Sequence, residues 1–219
     1  MFERSASKRS PPDLGGSWLA YSQSYKQAAD DLVKVRAATA GDALPYPVVF
    51  LYRHFLELEL KSVVALGHIV QTVEEQENNA TARIEGILRR HDLVELCEAC
   101  RTACKRVGLY QGDFIPPFEA FAACVQEFAD HDAGSYAFRY PIDKKMNPNL
   151  RHLGSVDLRH LMRTMAKIGL FLAVIRHAIE RHMEAEDAYR DWTDEDELCH
   201  FKDITGVDEQ EAQCENEEQ

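Results

Sequence analysis

The stretch "FLYRHFLELELK", residues 50–61, decides the fold. Most of its side chains are bulky and apolar, so a helix built from it belongs in a core. Yet Arg53, His54, Glu57 and Lys61 lie within it. Removing a charge from water costs several kcal/mol unless it is paired. On a helical wheel of about 100° per residue, Arg53, Glu57, Lys61, His54 and His68 fall within an arc of about 100°. Leu51, Tyr52, Phe55, Leu56, Leu58, Leu60, Val63, Ala65 and Leu66 fill most of the rest, with Glu59 as the main exception. Arg53 and Glu57, and Glu57 and Lys61, are each four residues apart, so Glu57 can bridge two cations.

Working outward, the periodicity is helical nearly everywhere, and no strict alternation marks a strand. A first helix is expected over about 17–39, burying Trp18, Tyr21, Tyr25, Ala28, Leu32 and Val35 on one side. Gly41, Pro45 and Pro47 break the chain, and a second helix runs over about 46–74. "EQENNATARIEG" reads as a loop or weak helix. A third helix spans about 91–108 and ends at Gly108; a fourth starts near Pro117 and reaches about Asp130. Residues 131–154 form a structured loop. Ser155 or Asp157 caps a last helix to about Glu186, with Leu158, Leu161, Met165, Ile168, Leu172, Ile175 and Ile179 on its apolar stripe. A short element is expected around Tyr189 to Phe201. The expected fold is all-α, an antiparallel bundle of four to five helices over 17–186. A loose N-terminal arm over 1–16 precedes it, and an acidic C-terminal tail over 187–219 follows.

The 219 residues carry a formal net charge of −12, which argues against broad non-specific nucleic-acid binding. The acid is concentrated: beyond residue 183 lie fifteen of the 37 acids but two of the 25 bases, so the remainder is close to neutral and leaves room for a local basic groove. No segment has the roughly 18 uninterrupted apolar residues of a membrane span, and the N-terminus lacks the apolar stretch of a secretory signal. A cytoplasmic location with reduced thiols is therefore expected. Cys97, Cys100 and Cys104 mimic a metal motif, but their spacing places them on one helix face with Leu93, Leu96 and Val107. Core packing is the expected role, and no metal or other cofactor is expected.

"LYRHFLELELKSVVALGH", then "HDLVELCEAC", then "FRYPID" resembles the HEPN superfamily, in a bacterial subgroup with the pattern Y-R-H-x-x-E-L-x-L-K, H-D-L-x-x-L and R-Y-P. The resemblance covers about residues 45–180. It implies a helical bundle, frequent homodimers, and links to toxin–antitoxin, abortive-infection and other antiviral systems. Many members are metal-independent RNases using R-x4-H on the last long helix. No Arg here has His five positions later, and Arg176 is followed by His177 and His182 instead. The usual catalytic assignment therefore transfers to no residue.

RNA cleavage without a metal needs a base for the 2′-OH and a cation for the developing charge. His54 or His91 can be the base, and Arg53 or Arg139 the cation. His91 with Asp92 also suits a helix start. Arg139 and Tyr140 precede Pro141 and are expected to be extended. The polar stripe is expected to be structural, with Glu57 anchoring the "RYP" loop through Arg139 while Arg53 and Lys61 balance it. Three functions follow: a HEPN-like module binding RNA or a nucleotide, a dimerising module whose acidic tail docks a cognate protein, and a nuclease with a rearranged site.

Overall fold

The computed structural model describes residues 14–38, 45–70, 80–150 and 153–205. Among these residues the fold is all-α, with no strand beyond an isolated bridge between Ile142 and Pro148. The helices are α1 (Leu14–Ala38), α2 (Tyr46–Ile69), α3 (Ala80–Arg89), α4 (Leu93–Arg106), α5 (Ile115–Asp132) and α6 (Leu158–Thr205). A 3-10 turn, Gly112–Phe114, leads into α5. The loose arm expected over 1–16 lies mostly outside the described residues, as does the tail beyond Thr205.

Local chemistry sets the boundaries. Prolines in the first turns of α2 and α5 forfeit no helical hydrogen bond there. Asp92 caps α4: its Oδ1 accepts from the Val94 and Glu95 N–H groups at 3.0 Å each. α4 stops where Gly108 takes φ +68°, a conformation that suits glycine. Asp157 caps α6, accepting the His160 N–H at 2.9 Å. Two elements exceed expectation. α3 forms where a loop or weak helix was expected, because Ile87 finds a buried seat. The short element expected around Tyr189 to Phe201 is a continuation of α6 to Thr205.

The chain divides into two compact units, Met1–Ile179 and Glu180–Gln219. In the first, α2 is the hub. α1 packs along it, and α3 and α4 lie against it. Its Phe55 and Glu59 meet Gly169 and Arg176 of α6. A Cβ at Gly67 would stand 2.5 Å from the Ala103 Cβ, so only glycine lets α2 and α4 approach this closely. Phe114, Phe118 and Phe121 gather around Phe171, with centroids 5.3 to 6.1 Å from it. Cys97, Cys100 and Cys104 are buried among core residues. In the second unit, His182 and Glu186 pair at 3.8 Å.

The face of α1 differs from expectation. Tyr21, Leu32 and Val35 are exposed, whereas Ser22, Ala29 and Val33 are buried. The cause is Glu59, which is fully buried on α2 and needs donors. Ser22 Oγ and Gln23 Nε2 both donate to its Oε1 at 2.7 Å, and Arg176 of α6 pairs with Oε2. Satisfying that carboxylate fixes the rotation of α1.

Candidate functional site

The α2 stripe is built around Glu57, whose side chain is 1% exposed. Arg53 Nη1 donates to its Oε2 and Lys61 Nζ to its Oε1, each at 2.9 Å. His91, at the start of α4, brings Nδ1 to 2.8 Å from Oε1. Burial alone would raise the Glu57 carboxyl, but the Lys61 ammonium and the His91 imidazole outweigh it and hold the group below the usual range. Lys61 also lies 5.3 Å from the Trp18 ring.

Arg53 is fully buried and serves as a cross-brace. Besides Glu57, its Nη2 donates to the His91 carbonyl at 2.8 Å and its Nε to the Asp132 carbonyl at 3.1 Å. Asp132 Oδ2 lies 3.4 Å from the same Nε. The buried charges Arg53, Lys61, Glu57 and Asp132 formally cancel, which is why a core helix tolerates them. Arg53 is thereby out of reach of a substrate phosphate, so the structure removes it from the candidate cations.

The expected contact between Glu57 and Arg139 is absent among the described contacts. Arg139 is exposed; its Nε donates to the Ser135 carbonyl at 2.6 Å, and its guanidinium lies 5.7 Å from the Phe50 and Tyr140 rings. The "RYP" loop is tied to α2 by Arg53 and Asp132 instead. Asp132 Oδ1 accepts the N–H groups of Tyr136 and Ala137. The carboxylate reaches this turn because it ends α5 immediately before the chain reverses, where Ser135 takes φ 57°. Glu57 is too deep in the stripe, and already saturated, to serve the loop as well.

His54 is half-buried, stacked on Phe50 with centroids 5.9 Å apart and edge-on to Tyr25 at 4.4 Å. Its Nδ1 lies 4.0 Å from Glu57 Oε2. Burial lowers its pKa; Glu57 pulls it upward, while Lys61, Arg53 and His91 add to the lowering. The ring is thus biased toward the neutral form near pH 7. His91 shares the carboxylate from the other side, and its side chain is 55% exposed.

Of the expected site residues, Glu57 joins Arg53, His54, Lys61 and His91 into one cluster. Arg139 and Tyr140 connect to it through Phe50. Glu59, Asp132, Phe50 and Tyr25 escaped the sequence reading as site elements. Only Glu59 left a signal, as the one acid on an apolar arc. Among the described residues, no three of His, Cys, Asp and Glu gather closely enough to hold a metal ion. No described helix is long and apolar enough to cross a membrane.

Comparison with protein-family models, with curated proteins and with solved structures finds no match for the chain.

Proposed function

We propose that the chain is a HEPN-like helical module of a bacterial defence or stress-response system that binds RNA, without the R-x4-H nuclease pair. The observation that carries this reading is the joint presentation of Arg139, Tyr140, Phe50, His54 and His91 beside a neutralised core. Arg139 and the 47% exposed Tyr140 supply a cation and a ring face. Tyr140 is held stacked on Tyr136 at 4.4 Å. A cation beside aromatic faces is what single-stranded RNA binding uses, since each base has a π-face and each linkage a charge. The net charge of −12 limits such binding to a local surface. The module acts as a homodimer, a reading that the exposed Tyr21, Leu32 and Val35 of α1 support.

The test is fluorescence anisotropy with a labelled single-stranded RNA in EDTA at low salt. Arg139→Ala and Tyr140→Ala are each expected to weaken binding about tenfold, in line with the value of one stacked or charged contact. RNA binding that is absent, or indifferent to both changes, refutes the reading.

A second reading, metal-independent RNA cleavage, is favoured by one arrangement. Glu57 holds His91 through Nδ1, as a carboxylate orients a general base, while the neutral bias of His54 leaves it able to accept a proton. Cleavage in EDTA that His91→Ala abolishes supports it; cleavage unchanged by both His54→Ala and His91→Ala excludes it. The third reading, a module docking a cognate protein through its acidic tail, has its tail residues 206–219 outside the described residues.

A further inference from the structure

A cavity of about 450 Å³ lies between α5, α6 and the loop that joins them, closed on one side by Val49 of α2. Its size falls within the roughly 300–1,000 Å³ of small-molecule sites. Val49, Phe128, Phe138 and Met165 are buried and form its apolar walls. Glu127, His131 and His160 are exposed and form its polar rim. Two wall residues directly precede the proposed RNA platform in the chain: Val49 precedes Phe50, and Phe138 precedes Arg139. Successive Cα atoms are only about 3.8 Å apart, so cavity and platform share one neighbourhood.

The chemistry of the lining selects its occupant. Apolar walls with two aromatic rings suit a flat ring. Asp157 already uses its Oδ1 on the His160 N–H. Glu127 and Asp157 are the carboxylates of the lining; Asp157 lends one oxygen to the helix cap, whereas Glu127 stands on α5 at the exposed rim and is the acceptor assigned to a ligand. A carboxylate accepts from an amino group and repels a carbonyl oxygen, a contrast that distinguishes bases.

Resting on the RNA reading above, we infer that this cavity is a nucleobase pocket selecting bases that carry an exocyclic amino group, with Glu127 as the acceptor and Arg139 at the adjoining phosphate. Phosphate itself is excluded from the cavity by the carboxylates of Glu127 and Asp157 at its edge. His131 and His160 offer further donors and acceptors to the ring edge.

Isothermal titration of the full chain with two matched pairs tests this. Guanosine and inosine monophosphate differ only in the presence of an amino group; cytidine and uridine monophosphate differ at C4, amino against carbonyl, and at N3, which carries a proton only in uracil, so the first pair is decisive. The amino member of each pair is expected to bind about tenfold more tightly, as one base-edge contact discriminates. Glu127→Gln, a surface change, is expected to abolish that preference because its amide also donates. Thr164→Phe, which fills the cavity from α6, is expected to remove nucleotide binding while circular dichroism stays unchanged. Binding without a preference for the amino group, or a preference that survives Glu127→Gln, overturns the pocket and leaves the platform standing. RNA binding that depends on Arg139 with no mononucleotide binding does the same. If neither RNA nor nucleotide binds, both readings fall.

Discussion

Arg53 makes four polar contacts from a position with no solvent exposure, to Glu57, to Asp132 and to two backbone carbonyls. Removing it takes the only cation from buried Asp132 among the described ion pairs and leaves Glu57 to Lys61 and His91, and breaking such a buried pair costs about 3–5 kcal/mol. Arg53→Ala is therefore expected to lower the urea midpoint of unfolding severely, and Arg53→Lys to recover only part, because an ammonium cannot hold the planar fork. A midpoint unchanged in Arg53→Ala would show that the brace contributes nothing. The same cluster sets a pH dependence. Glu57 has a folded pKa below the ordinary carboxylate value, so its contribution is present above that value and is lost as pH falls through the folded pKa. His54 is shifted below 6.5, so the unfolded chain binds the proton first and stability declines as pH drops below 6.5. Urea midpoints at pH 7.5 and 5.5 are expected to differ less in His54→Phe than in the native chain. An equal difference would assign the decline to other histidines.

At the scale of elements, the sequence was readable wherever one periodic stripe decided burial. The stripes of α4 and α6 are buried as spacing requires, from Leu93 to Cys104 and from Met165 to Ile179. α1 was not readable in this way, because its rotation is set by a buried carboxylate on another helix. Ser22 and Gln23 are polar and look outward on any wheel until Glu59 claims them. Arg53 and Glu57 carry the same lesson: i,i+4 spacing identified the pairs, but a pair reads alike on a surface and in a core. Burial came from the carbonyls of His91 and Asp132, contacts that span 38 and 79 residues along the chain. α2 and α4 also meet through Gly67, whose missing side chain no periodicity could single out. Gly67→Ala is expected to destabilise the fold by about 1–3 kcal/mol, the usual cost of overpacking, despite the higher helix propensity of alanine. A rise in melting temperature instead would mean that the two helices separate freely.

For the whole molecule, the all-α architecture followed from composition and period, and the acid-rich end from a count of charges. The site required tertiary information. Arg139 was expected to reach Glu57 because an extended "RYP" loop could cross back over α2, yet Asp132 and Arg53 secure the loop and leave Arg139 at the surface. That division separates residues that hold the fold (Arg53, Glu57, Lys61, Asp132) from residues that face outward (His91, Arg139, Tyr140). We propose that RNA meets the second group. Hydrogen–deuterium exchange of the full chain with and without a short single-stranded RNA tests it without any substitution. The expected result is added protection in the turn over 135–141, the first turns of α2 and the residues around His91. Protection elsewhere, with these segments unchanged, would contradict it.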